Sequence, residues 1–243
     1  MSDLNVPFTE RRNELSVKLD GSLTAIDFLK TLRSCDSQIY TGYAENQNIF
    51  DKALEIDSTI SGCSLSSKVI VTGCGTSGRL AFLTCRRYSR LFGTKKVTEN
   101  TLLRKPVFVY TIAGGDSAIL LSDELPEDDP VVGCNDMVSR LDLNDSYDEL
   151  GTKEYLGYLI GVTCGLSAPY VAGQAAKVLS TKRVGMSLIG FNPAELARNV
   201  PLTDLEGKSF RDIAITINNI SDRAVPIHLL NPVIGPGSSF IFI

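Results

Sequence analysis

The run Lys68-Val-Ile-Val-Thr-Gly-Cys-Gly-Thr-Ser-Gly-Arg-Leu-Ala-Phe-Leu83 decides the fold. Residues 68–72 suit a buried β-branched strand, and from Arg79 the apolar positions Leu80, Phe82 and Leu83 recur at helical spacing. Between the two, Gly73, Gly75 and Gly78 let the main chain turn sharply and come close to a ligand. The new helix aims unpaired N–H groups and its positive dipole end at the same spot. An anion is expected there. Thr76 and Ser77 add neutral hydroxyl donors, which suit a phosphate or the hydroxyls of a sugar.

Two better-known glycine loops fit less well. The spacing Gly73-x-Gly75-x-x-Gly78 matches a dinucleotide fingerprint, but that fold wants an acidic residue at the end of its second strand. The next strand, Val107 to Ile112, ends instead in Ala113-Gly114-Gly115. A P-loop is excluded because no Gly-Lys-Ser/Thr follows the turn. Phosphate or phosphosugar binding is left, beside the plainer reading in which the glycines serve turn geometry alone.

With 243 residues, 43% of them hydrophobic, the chain can bury one sizeable core, or one domain plus an appended helical segment. A net charge of −4 and Lys/Arg runs no longer than a pair such as Arg86-Arg87 argue against nucleic acid as a partner. The apolar runs are too short to span a bilayer, and Met1-Ser-Asp-Leu-Asn5 lacks the order of a signal peptide, so a cytoplasmic protein off the membrane is expected. Cys35, Cys63, Cys74, Cys85, Cys134 and Cys164 form no C-x-x-C pair, and His228 is the one histidine, so neither a metal nor another cofactor is expected. His228 lies in the apolar run Ile227–Leu230, where a packed strand histidine is a better reading than a catalytic base.

Along the chain, Thr9–Asp20 reads as a surface segment, followed by one helix from Ser22 and a second from about Asp36 to Ile60. Ser61–Ser67 is a linker. Then come the opening strand-loop-helix, a strand at Val107–Ile112, helical sequence around Asp136–Leu150, and a strand at Leu156–Thr163. A helix over Ala168–Leu179, a strand over Val184–Phe191, a short helix to about Arg198 and a last strand over Ala224–Leu230 complete the pattern. Alternating strands and helices predict an α/β fold, a three-layer αβα doubly wound parallel sheet preceded by N-terminal helices. Its ligand belongs outside the carboxyl ends of the strands. The loops Gly73–Gly78, Ala113–Asp116 with Glu127, Thr163–Ser167 and Asn192 would all open there, with Arg79 the one obvious positive side chain. Thr163 and Ser167 suit helix capping as well as they suit a ligand.

These motifs carry a resemblance. Gly73-Cys-Gly-Thr-Ser-Gly-Arg-Leu80, Ile112-Ala-Gly-Gly115 with Glu127-Asp-Asp129, Gly161-Val-Thr-Cys-Gly-Leu-Ser-Ala-Pro-Tyr-Val171 and Gly190-Phe-Asn-Pro193 resemble the SIS domain shared by glucokinase regulatory proteins and bacterial N-acetylmuramic acid 6-phosphate etherases. Thr9-Glu-Arg-Arg-Asn-Glu-Leu-Ser16 is similar to the family's N-terminal signature. The resemblance covers roughly residues 8 to 236 and implies an N-terminal helical segment over 1–65, a phosphosugar-binding SIS domain over 66–236 and an aberrant tail over 237–243. The tail, Gly237-Ser-Ser-Phe-Ile-Phe-Ile243, departs from the family pattern as a C-terminally truncated product would.

The branch follows from what differs. An ungapped match puts Arg87 where the etherases carry an acid–base glutamate, and a guanidinium cannot fill that role near neutral pH. Gly165-Leu-Ser-Ala-Pro169 with Val171-Ala-Gly-Gln174, and Ala197-Arg-Asn199, resemble the regulatory branch. The resemblance thus implies a receptor and not an enzyme: a protein that binds fructose 6-phosphate or fructose 1-phosphate and inhibits glucokinase or hexokinase. It also implies the ligand residues, namely Gly75, Thr76, Ser77, Gly78, Gly114, Glu127, Thr163, Gly165 and Ser167. Homodimerisation and a nuclear as well as cytoplasmic location are open to such a protein. The alternative is an etherase-like lyase acting on a phosphosugar, with Glu127 as its catalytic carboxylate.

Overall fold

In the computed structural model, residues 6–11, 24–44, 46–62, 67–93, 107–121, 124–143, 156–220, 223 and 225–232 are described. Two helices come first, α1 (Ala25–Ala44) and α2 (Gln47–Ser61). The break between them falls later than the expected Asp36. Asn46 sets it, because its side chain accepts the Ile49 N–H at 3.3 Å and caps α2. The linker expected over Ser61–Ser67 lies largely outside the described residues, as do the tail over 237–243 and the surface segment beyond Arg11.

Five parallel strands follow: β1 (Lys68–Gly73), β2 (Val107–Ile112), β3 (Gly157–Val162), β4 (Val184–Ile189) and β5 (Ile227–Leu230), in the order β2-β1-β3-β4-β5. This is the α/β doubly wound sheet that the alternation predicts. The order reverses direction between β1 and β3, and that switch point is where loops from adjacent strands diverge and leave a crevice at the carboxyl edge.

Helices cover both faces. α3 (Gly75–Gly93) packs Ala81 and Cys85 over Val71, Phe108 and Tyr110. On the other face, α5 (Pro130–Leu141), α6 (Pro169–Ser180) and α7 (Phe210–Asn219) close the main core around Ile70, Leu159, Met186 and Leu188. α5 and α6 touch at their backbones: a Cβ on Gly133 would stand 1.9 Å from the Tyr170 carbonyl oxygen, and one on Gly173 1.8 Å from that of Pro130. The short α4 (Glu124–Glu127) precedes α5.

Local chemistry explains where the expected helices shift. α5 begins at Pro130, not near Asp136, because the Asp129 carboxylate accepts the Val131 and Val132 N–H groups at 2.8 and 3.1 Å and Pro130 fits the first turn. The sequence reading passes over α7. Its start is a capping box, in which Ser209 accepts the Asp212 N–H at 3.2 Å and the Asp212 carboxylate accepts the Ser209 N–H at 2.8 Å. His228 sits buried in β5 with Nδ1 3.9 Å from the Glu55 carboxylate of α2, as a packed strand histidine. Among the described helices none is long and apolar enough to cross a membrane.

Candidate functional site

At the end of β1 the chain turns into α3 through Gly75, whose φ of +48° lies in the left-handed region. The Glu127 carboxylate reaches this turn from α4 and accepts the Gly75 N–H; a Cβ on Gly75 would meet Glu127 Oε1 at 3.4 Å. Burial raises the Glu127 carboxyl above its ordinary value, the Gly75 N–H opposes that rise, and Glu124 and Asp128 add to it. Gly78 packs under the turn, where a Cβ would stand 2.4 Å from Ile112 Cγ1. Thr76 is exposed and Ser77 half-buried, so both hydroxyls are within reach of solvent.

Arg79 Nε donates to the Ile119 carbonyl at 3.1 Å and ties α3 to the turn after β2, and its charge acts on the Glu127 carboxylate. That turn carries Gly114 and Gly115 at φ of +85° and +67°. Gly114 lines a hollow of about 380 Å³ together with Pro126, Asp129 and Asp136. Cys74 lies below; burial first, then Glu127 and Asp128, push its thiol up to about 12, so it is no nucleophile at neutral pH.

The end of β3 is built differently. The Leu166 N–H donates to the Thr163 carbonyl at 3.3 Å, and the Ser167 N–H to the Thr163 hydroxyl at 3.4 Å. Thr163 is buried, so its hydroxyl braces the loop. Leu166, fully buried, holds φ of +51°, a conformation that costs a residue with a Cβ roughly 1–2 kcal/mol. Strain of this kind persists where the surroundings over-determine it. Here Asn192, buried at the end of β4, supplies the restraint: its Nδ2 donates to the Gly165 carbonyl at 2.8 Å and to the Thr9 hydroxyl at 3.1 Å, and its Oδ1 accepts the Thr9 N–H at 3.1 Å. The N-terminal turn Phe8–Glu10 is thereby fastened to the loop. Beyond it α6 starts at Pro169 with Ala168 as N-cap and no side-chain cap, which leaves its first turn to other acceptors.

Register makes the two loops neighbours, since Gly73 pairs with Val162. Gly75 and Glu127 meet directly, Thr163, Gly165 and Ser167 share one turn, and Gly114 stands apart in its own hollow. Arg87, the position matched to the etherase glutamate, is exposed on α3, 12 residues beyond Gly75 and so about 18 Å along the helix axis. The sequence reading gives Asn192 no more than a place at the edge, holds Arg198 only as part of the Ala197-Arg-Asn199 motif and not as a site residue, and passes over Arg211. Both arginines lie beside the second loop. A cavity of about 460 Å³ there is lined by Gly165, Ser167, Arg198 and Arg211.

This is the site on which comparison with known proteins bears. The sequence model of a family described as glucokinase regulatory protein N-terminal SIS domain matches residues 52–179, more than half of the 243. The chain belongs to that family. A glucokinase regulatory protein of Xenopus laevis is 30% identical over 248 residues, covering 96% of this chain and 36% of the relative. One of Homo sapiens is 30% identical over 244 residues, with 95% and 36% covered. An N-acetylmuramic acid 6-phosphate etherase of Lactococcus lactis subsp. cremoris is 30% identical over 189 residues, covering 77% of this chain and 56% of the enzyme. The chain thus spans about 36% of the length of the glucokinase regulatory proteins it matches. Regulators and lyases share this SIS scaffold, so fold alone does not assign the chemistry.

Proposed function

We propose that this SIS domain is a non-enzymatic receptor for a hexose phosphate, fructose 6-phosphate or fructose 1-phosphate, and that occupancy sets its affinity for glucokinase or a related hexokinase. The observation that carries the reading is the pair of loops at the β1/β3 switch point, each opening a helix toward the same edge. The Gly75–Gly78 turn offers main-chain N–H groups with the Thr76 and Ser77 hydroxyls, and the Gly165–Ser167 turn offers the uncapped start of α6. Glu127 supplies an acceptor for sugar hydroxyls at the first turn, and Gly114 lets the main chain pass close by. Inhibition requires the bound and free states to differ in partner affinity, which makes the sugar phosphate and the kinase reciprocally coupled. Such a receptor would work in the cytoplasm and the nucleus, alone or as a homodimer.

The test is a thermal melt with fructose 6-phosphate, fructose 1-phosphate and N-acetylmuramic acid 6-phosphate. Ligand at about 100 times its dissociation constant stabilises by roughly 2.7 kcal/mol, a shift of about 2–4 °C per kcal/mol in a domain of this size. Ser77→Ala should abolish the shift and leave the unliganded midpoint in place. Absence of a shift with every fructose phosphate would sink the receptor.

One observation favours a second reading, a phosphosugar lyase: burial holds the Glu127 carboxyl above its ordinary value, as a general acid or base requires. Lactate release from N-acetylmuramic acid 6-phosphate, lost in Glu127→Gln, would establish it in place of the receptor.

A further inference from the structure

The sheet ends at β2, and among the described residues no strand lies beyond it. The Val107 N–H donates to the Ser67 carbonyl and the Ala113 N–H to the Gly73 carbonyl, each at 3.4 Å, so the odd-numbered residues of β2 face β1. The ladder alternates, and the Tyr110 N–H and C=O therefore point to the outer edge. An open edge invites another strand unless charge, proline or a bulge blunts it. Val107-Phe-Val-Tyr-Thr-Ile112 has neither charge nor proline and keeps unbroken register with β1.

Helices flank this edge on both faces and leave a hollow of about 260 Å³. Tyr110 and Val109 both line it, although one packs toward α3 and the other into the main core on the opposite face. The hollow thus wraps the edge of the strand. Its wall on α3 runs from Phe82 to Ser89, which is about 10 Å of helix, the span of about three residues of extended chain. Phe82 stands edge-on to Tyr110 with ring centroids 5.0 Å apart and gives the hollow an apolar floor.

The rims are basic. Arg86 rises from α3 with its guanidinium 5.9 Å from the centre of the Phe82 ring, and Arg140 comes from the last turn of α5 on the other face. Both are exposed, and neither makes an ion pair among the described residues. α3 carries Arg79, Arg86, Arg87 and Arg90 without a single carboxylate, in a chain whose net charge is −4. Carboxylates at hand are already engaged: Asp116 accepts the Tyr110 hydroxyl at 2.7 Å, and Asp142 lies 2.5 Å from Lys68 Nζ.

We infer that this edge takes an acidic, extended segment of a partner protein as an added strand beside β2, with carboxylates set against Arg86 on one face and Arg140 on the other. Successive side chains of a strand leave opposite faces, so two adjacent acidic residues reach both arginines. Main-chain pairing with Tyr110 supplies affinity, and the arginines select acidic segments over others. The edge runs along the flank of the sheet, so the inference stands apart from the receptor reading.

The experiment follows fluorescence anisotropy of labelled peptides titrated with the full chain: Val-Glu-Glu-Val-Glu-Glu-Val, the same peptide with Lys for Glu, and the acidic peptide N-methylated at every amide. The acidic peptide should bind at least about tenfold more tightly than either of the others, and raising salt from about 0.05 to about 0.5 M should weaken it. Arg86→Glu with Arg140→Glu should cost it about tenfold and reverse the preference toward the lysine peptide, whereas Arg33→Glu on exposed α1 should change nothing. Arg86→Gln and Arg140→Gln, made singly, give the same reading if the double reversal does not fold. Bound acidic peptide should also slow hydrogen exchange at the Tyr110 N–H. Equal binding of the lysine peptide would overturn the acidic preference, and equal binding of the N-methylated copy would reduce the strand to diffuse charge attraction. An acidic peptide that does not bind would overturn the inference outright, and so would self-association of the chain through this edge, which would put a second copy there instead.

Discussion

The turns at the ends of β1 and β3 do the same topological job with opposite means. The first is shaped by missing side chains: Cβ atoms at Gly73 or Gly78 would stand 2.8 Å from Ser77 Cβ or 2.4 Å from Ile112 Cγ1. The helix it opens stays partly on the surface, with Leu80 and Leu83 more than half exposed. The second is shaped by side chains that are present, Thr163 and Asn192, and by a leucine forced into a left-handed conformation. Its helix is buried from Pro169 to Ala175. A turn that packs its main chain against its neighbours can rest on glycine, whereas a turn that holds a leucine in a left-handed conformation needs hydrogen bonds and core behind it.

That contrast breaks most visibly at the helices. Gly173→Ala pushes a methyl group to 1.8 Å from the Pro130 carbonyl oxygen, where only separation of α5 and α6 can relieve it. The expected loss is about 3 kcal/mol or more, read from the urea midpoint. Leu83→Ala on α3 should cost less than about 0.5 kcal/mol, because that side chain is 57% exposed. A comparable loss at Leu83 would mean that something else covers α3, and the contrast would fail.

Next in size is Asn192→Ala. It removes three hydrogen bonds and strands the Gly165 carbonyl and the Thr9 N–H, so about 2–3 kcal/mol should go. Hydrogen exchange should speed up together over 6–11 and 163–167, with 73–78 unchanged. Faster exchange confined to one of the two fastened segments would show that Asn192 does not clasp them.

The strands and the first turn are legible in the sequence because β-branched runs and glycines act locally: Val107–Ile112 is a strand with the bounds read for it, and Gly75–Gly78 opens a helix as its composition demands. The second turn is legible only in outline. Its restraint comes from Asn192 and its flanking charge from Arg198 and Arg211, residues separated by as many as 48 positions from Thr163 and brought back by β4 and α7. No window of sequence contains that encounter. α7 itself had a local signal in Ser209-x-x-Asp212, a box with Asp in place of the usual Glu or Gln.

Strain at the second turn can be measured by a reversal. Truncating Leu166 to Ala empties a fully buried site and should cost about 2–4 kcal/mol. Gly usually does worse than Ala by about 1 kcal/mol, through the freedom it gives the unfolded chain. At φ of +51° the order should invert, with Leu166→Gly up to about 1 kcal/mol more stable than Leu166→Ala, because only Gly escapes the Cβ clash. The usual order would mean that the turn relaxes when the side chain is removed, and that Asn192 does not hold it.

Acid should separate the two turns by sign. Glu127 at the first turn has its carboxyl raised by burial above the ordinary 4.5, so between that value and its folded one the native state holds more proton than the unfolded chain. Its contribution is present below 4.5 and lost as pH rises through the folded value. Asp212 anchors the helix that positions Arg211 behind the second turn, and the Ser209 hydroxyl and N–H hold it below the ordinary 3.8. Its contribution is present above 3.8 and lost as pH falls through the folded value. Glu127→Gln should therefore stabilise the protein at pH 7 relative to its effect at pH 4, and Asp212→Asn should destabilise it at pH 7 and cost less as the pH approaches 3. Urea midpoints of the two variants, measured against the parent over that range, should diverge from it in opposite directions at neutral pH. Parallel curves would place both carboxyls in equivalent surroundings, and the first turn would then lack the half-buried contact between Glu127 and Gly75 that sets it apart from the second.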